Sequence, residues 1–120
     1  MPTKDSALRD VLSRSKEITI TVTGRKSGRA ISIPVWFVLE GDRLSLLPVQ
    51  GSDTQWYLNV LKNPKTRIAA RGSEGELQVL PITDAKEVKA VVEKFRKKYG
   101  AGDVKKYYSK LDVAVVADLS

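Results

Sequence analysis

Apolar residues recur along this chain with two periods. From Glu17 to Thr23 they alternate strictly, with Ile18, Ile20 and Val22 on one side and the threonines on the other, which predicts a strand with one buried face. Alternation resumes over residues 30–39. There Ile31, Ile33, Val35, Phe37 and Leu39 share one side, and Ser32, Pro34, Trp36 and Val38 the other, so both sides are substantially apolar. Pro34 has no N–H to give a ladder and marks an edge, a bulge or a bend. A turn at residues 40–43 leads into a third strand at 44–49, completing a meander. Further strands are predicted at 66–71 and 76–83, a hairpin joined across residues 72–75, and at 111–117.

Between these strands the period changes to that of a helix. Asp5 or Ser6 can cap a short N-terminal helix with Leu8, Val11 and Leu12 on one face. Ser52 and Gln55 have the spacing of a capping box ahead of Trp56-Tyr57-Leu58-Asn59-Val60-Leu61, and Asn63-Pro64 stops that segment. Asp84, answered by Glu87, opens a longer helix whose stripe is Val88, Val91, Val92, Phe95 and Tyr99. Gly100-Ala101-Gly102 breaks it, and a further helical turn follows within residues 104–110. Six strands with few helices predict one mainly β domain of α+β type spanning residues 1–120. The form expected is a small six-stranded barrel with short helices over its ends, split where the Trp56 helix interrupts the meander.

Composition narrows the chemistry. With no cysteine and no histidine in 120 residues, disulfides, thiolate chemistry and zinc-thiolate sites are excluded, and triad hydrolysis is disfavoured. No spacing of carboxylates suggests a metal site or an acid–base pair, so no catalytic side chain is assigned. An enzyme of this composition would leave the reaction to a bound cofactor. The net charge of +7 favours an anionic partner. No apolar run approaches a membrane span or a signal sequence, and a cytoplasmic protein is expected.

The stretch Gly24-Arg25-Lys26-Ser27-Gly28-Arg29 joins the first two strands with two glycines, a hydroxyl and three cations. Such a loop can turn backbone N–H groups and positive charge toward a phosphate; it can equally be a solvated hairpin turn. Asn59 discriminates on the next helix, because a buried asparagine must either tie a neighbouring loop or bind a ligand.

The order T-G-R-K-S-G, I-P-V-W-F, E-G-D-R-L and W-Y-L-N-V-L-K-N-P resembles the deazaflavin-dependent nitroreductase family, within the flavin-binding (pyridoxamine phosphate oxidase-like) split β-barrels, over about residues 18–71. That resemblance implies a six-stranded split barrel in which coenzyme F-420 delivers a hydride to an organic acceptor, with FMN as the alternative cofactor. It places Gly24, Arg25, Lys26, Ser27 and Gly28 at the phosphate-bearing tail, Pro34, Val35 and Trp36 beside the ring, the start of the helix carrying Trp56 and Asn59 closing over the cofactor, and Gly51 among the further cofactor contacts. Tyr107 and Tyr108 match a segment that carries substrate-facing tyrosines. Ile31, Gln50 and Leu111 stand where members of the family commonly have cations. A homodimer is a possible assembly for such barrels. Two further classes compete with an oxidoreductase. One is a non-catalytic carrier of a cofactor or apolar ligand; the other is a nucleic-acid binder, disfavoured because the basic segments lack interleaved aromatics.

Overall fold

The computed structural model describes residues 10–119. In chain order the elements are β1 (Ile18–Thr23), β2 (Ala30–Val35), β3 (Phe37–Glu40), β4 (Arg43–Leu46), a 3-10 turn (Gly51–Asp53), α1 (Gln55–Lys62), β5 (Lys65–Ala70), β6 (Ser73–Gln78), β7 (Leu80–Ile82), α2 (Ala85–Tyr99), α3 (Ala101–Tyr107) and β8 (Ala114–Asp118). The cap residues Asp5 and Ser6 of the expected N-terminal helix, and Leu8, lie outside the described residues. Residues 10–13 are helical, and Leu12 is buried in the core.

Two antiparallel four-stranded sheets form, in the orders β2-β1-β5-β6 and β3-β4-β8-β7. The expectation of six strands is therefore corrected to eight, and the sheets do not close into a barrel. Two expected strands each divide and serve both sheets. Val35 still pairs with Ile18, whereas Phe37 pairs with Leu46 in the other sheet, so the chain crosses at Trp36. Likewise Gln78 pairs with Lys65 and Leu80 with Val116, with Val79 at the corner donating its N–H to the Pro64 carbonyl at 2.9 Å. Strands that bend from one sheet into another are how packed sheets make corners. Pro34 sits on the edge strand β2, opposite Thr19, where its missing donor breaks no interior ladder.

Ile18, Ile20 and Val22 of β1 face Phe37, Leu44, Leu46 and Val115 of the second sheet across the core, with Ile68 of β5 beside them. Each such fully buried aliphatic side chain contributes roughly 1.5–3 kcal/mol. The outer face of the first sheet carries the threonines of β1 and the ion pairs Lys65–Glu76 and Arg67–Glu74. The second sheet is covered twice. Its other face meets Val88, Val91, Val92 and Phe95 of α2, which is why Ala114 to Ala117 in β8 are all buried and read as a continuous apolar run.

Several local expectations change. Asp84 caps α2 as predicted, accepting from the Glu87 N–H at 3.1 Å. Thr54, not Ser52, is the N-cap of α1, and its hydroxyl accepts from the Gln50 N–H at 2.8 Å. The Ser52 hydroxyl instead donates to Asp112. The hairpin turn between β5 and β6 is Arg71-Gly72 rather than residues 72–75, and the last strand begins at Ala114, leaving Leu111 and Asp112 in a loop.

Candidate functional site

Beside the point where β2 passes into β3 lies a groove of about 340 Å³, a size within the range of small-ligand sites. β2 and the crossing contribute Ile33, Pro34, Val35 and Trp36; Leu47 and Val49 follow β4; Trp56 comes from the first turn of α1; and Tyr107 and Tyr108 from the end of α3. Glu17, just ahead of β1, is the one charged residue on the lining among the described residues. Six residues singled out from sequence, Pro34, Val35, Trp36, Trp56, Tyr107 and Tyr108, are thereby brought together from three separate segments.

Trp36 is held by aromatic packing. Tyr99 stacks on it with ring centroids 4.2 Å apart and planes 7° from parallel, Tyr107 meets it edge-on at 5.5 Å, and Tyr108 lies at 6.1 Å. The Tyr99 hydroxyl is anchored in turn: it accepts from the Phe37 N–H at 3.1 Å and lies within donating distance of the Lys16 and Phe37 carbonyls at 2.5 and 2.9 Å. Burial pushes the Tyr99 phenol up to about 12, with the Glu17 charge adding to it and the Phe37 hydrogen bond opposing. Burial raises Tyr108 as well, with Tyr99 a lesser cause. Both phenols are neutral at physiological pH. Tyr107 remains half exposed, at 52 %, on the rim.

The glycine loop lies at the other end of the β1–β2 hairpin. Ala30, beside the loop, and Pro34, in the groove, are four residues apart on β2, roughly 13 Å along an extended strand. Gly28 takes φ +71°, and its N–H donates to the Gly24 carbonyl at 2.9 Å, while the Gly24 N–H donates to Arg29 at 2.8 Å. The Arg29 N–H donates to Ser27 Oγ at 3.2 Å, and the Arg25 N–H to Asn59 Oδ1 at 3.1 Å. Four of the six loop N–H groups thus close the loop on the protein itself. The Lys26 and Arg29 side chains are exposed and have no ion-pair partner among the described residues.

Asn59, 4 % exposed, ties the loop, which is one of the two roles open to it from sequence. Its Oδ1 also accepts from the Arg25 guanidinium at 2.8 Å, and Gln55 Oε1 accepts from the same guanidinium at 2.9 Å. Gly51 does not reach the groove lining. It is buried with φ +56° against the loop that precedes β8, where a Cβ would sit 2.1 Å from Asp112 Oδ1 and 3.0 Å from the Lys110 carbonyl. Asp112 holds that junction by accepting from the Ser52 N–H at 2.9 Å and hydroxyl at 2.6 Å. Burial alone would raise its carboxyl, but the Ser52 hydrogen bonds and the Lys110 charge bring it below its usual value.

Sequence reasoning missed Glu17, Leu47 and Val49 as lining residues, and Ile33 was noted only as part of an apolar face. Leu47 and Val49 had a signal, since their apolar run continues past the paired part of β4. Glu17 had none, because a single carboxylate ahead of a strand is ordinary.

Similar architecture occurs in several solved structures that are split-barrel-like. An F420-H2 dependent reductase (FDR-A) matches with a TM-score of 0.67 at 18% identity, covering 86% of this chain and 94% of its own. A conserved hypothetical protein from Mycobacterium tuberculosis matches with a TM-score of 0.72 at 12% identity, over 98% of this chain and 80% of its own. HutZ, a heme storage protein from Vibrio cholerae, matches with a TM-score of 0.69 at 12% identity, over 93% and 86%. At these identities the likeness shows the fold alone. Residues 9–116 match the model of the family described as uncharacterized protein conserved in bacteria (DUF2255), and the chain belongs to that family.

Proposed function

We propose that this chain binds a deazaflavin of the F-420 type and acts as an oxidoreductase toward a small organic acceptor of nitroreductase type, with FMN as the alternative cofactor. The observation that carries this reading is a single strand, β2, with an aromatic-walled groove at one end and an exposed cationic loop at the other. A planar ring joined to an anionic tail has matching dimensions and chemistry. The likeness of fold to an F420-H2 dependent reductase supports the same reading.

The residues fit such a group. Trp36 and Trp56 offer flat apolar contact to a ring, Lys26 and Arg29 offer charge to a phosphate, and Ser27 can add a hydroxyl donor. When bound, a reduced deazaflavin supplies the hydride. The protein's part is to hold the ring against β2, exclude water with the tryptophans, and orient an acceptor beside the hydroxyls of Tyr107 and Tyr108.

Titration of the pure protein with F-420, FMN and hemin, followed by ring fluorescence or absorbance, tests the proposal. F-420 or FMN is expected to bind at about micromolar concentration or tighter, and Lys26→Ala to weaken that binding about tenfold or more, the worth of a charge-assisted phosphate contact. Binding of neither flavin defeats the reading. Tight binding with no turnover of nitroaromatic acceptors would move the protein to the carrier class. Heme carriage has less support, because the chain has no histidine or cysteine and leaves the axial position to a groove tyrosine, Tyr107 or Tyr108.

A further inference from the structure

We infer that Arg25 is a positioning residue, a latch that fixes the glycine loop to α1 and thereby sets the spacing of the groove walls, rather than a ligand of the anionic tail. The consequence for cofactor binding rests on the function proposed above; the latch itself does not.

Gln55, Asn59 and Lys62 are spaced i, i+4 and i+7 and so share one face of α1. All three grip the same residue. The two terminal nitrogens of the Arg25 guanidinium donate to Asn59 Oδ1 at 2.8 Å and Gln55 Oε1 at 2.9 Å. Its N–H donates to Asn59 at 3.1 Å, and its carbonyl accepts from Lys62 Nζ at 3.3 Å. The planar fork is what lets one side chain reach two amide oxygens a helical turn apart, a geometry that the single ammonium of lysine does not reproduce. Because Asn59 is buried, releasing Arg25 would leave Oδ1 without a partner in the interior, which holds the latch shut.

The two bodies joined by this latch are the two sides of the groove. Trp56 follows Gln55 directly and precedes Asn59 by three residues, so the bonds that seat those two amides also seat Trp56. On the opposite side, Ile33, Pro34 and Val35 belong to the hairpin whose loop carries Arg25. With the Arg25 fork engaged on α1, the cationic side chains of the loop left to meet an anion are Lys26 and Arg29.

A comparison of Arg25→Lys, which keeps the charge and loses the fork, with Lys26→Ala decides the point, using F-420 and its phosphate-free chromophore fragment as probes. A latch requires Arg25→Lys to weaken both probes by the same factor, about tenfold or more, and Lys26→Ala to weaken F-420 alone. An Arg25→Lys protein that binds both probes like the wild type, or that loses F-420 and keeps the fragment, overturns the assignment. If the wild type binds neither probe, the proposed function fails and the latch is decided on the ligand-free protein. Amide exchange at Arg25, and acrylamide quenching of Trp56 read in a Trp36→Phe background, must then both rise on Arg25→Lys. Failure of either to rise overturns it.

Discussion

Lys98 carries its charge in a partly buried setting. Its ammonium donates to the Phe37 carbonyl at 2.9 Å and lies 3.6 Å from the centroid of the Phe37 ring, and burial lowers its pKa from the usual 10.5 to about 8. The sign of the consequence follows from which state keeps the proton. Below about 8 both folded and unfolded chains are protonated, and the cost of desolvating the charge is fully present. Between about 8 and 10.5 the folded lysine has shed its proton while the unfolded one keeps it, so this group makes stability rise with pH across that window. Chemical denaturation of the wild type and of Lys98→Met at several pH values checks it: the wild type should gain on the variant from pH 8 to 10. A constant difference would show that Lys98 titrates normally. Nothing in the sequence marked this lysine apart from its neighbours in α2; only its placement against Phe37 does.

Turns show how far local sequence carries at the scale of elements. Arg71 and Gly72 take φ +49° and +84° between β5 and β6, the pair of positive torsions that a two-residue hairpin turn of type I′ demands. Glycine suits its position; arginine is strained in its own. Arg71→Asn should therefore stabilise the protein by roughly 0.5–1 kcal/mol, and Gly72→Ala destabilise it by about 1 kcal/mol or more. Thermal unfolding of the two variants measures both, and opposite signs are the required result. The corners at Trp36 and Val79 were beyond such reading. Alternation continues unbroken through Trp36: Ile33, Val35 and Leu39 pack on the core between the sheets, while Trp36 and Val38 pack on the α2 side. A strand that changes partners without changing which way its side chains point leaves no mark in its pattern.

For the molecule as a whole, the charge of +7 is less available than it looks. Of the cations on α2, Arg96 pairs with Glu93, Lys94 with Glu40 at 3.1 Å, and Lys98 is turned onto Phe37. No stacking aromatics interleave with Lys86, Lys89 and Lys97 on that helix, whose buried side is aliphatic apart from Phe95. Binding of arbitrary duplex DNA at about 0.15 M salt should therefore be weaker than the ~10⁻⁴ M typical of non-specific binders. A tighter constant with a steep salt slope, measured by anisotropy, would restore the nucleic-acid reading. The cations that remain exposed at the glycine loop, Lys26 and Arg29, are few and local, which suits one phosphate better than a polymer.

The sequence alone determined those features whose cause lies within a few residues. β1 followed from its alternation and α2 from its stripe and the Asp84 cap, whereas the aromatic residues that meet at the groove were singled out only through the family resemblance. Tertiary structure decided what depends on residues distant along the chain. It set the number of strands, because two long strands are each shared between the two sheets. It made Gly51 a packing residue, because the loop at residues 110–112 closes on it. It also committed Asn59 and Arg25 to each other across 34 positions. Local pattern records which face of a segment is buried; it does not record what buries it, and at this site the partner determines the role.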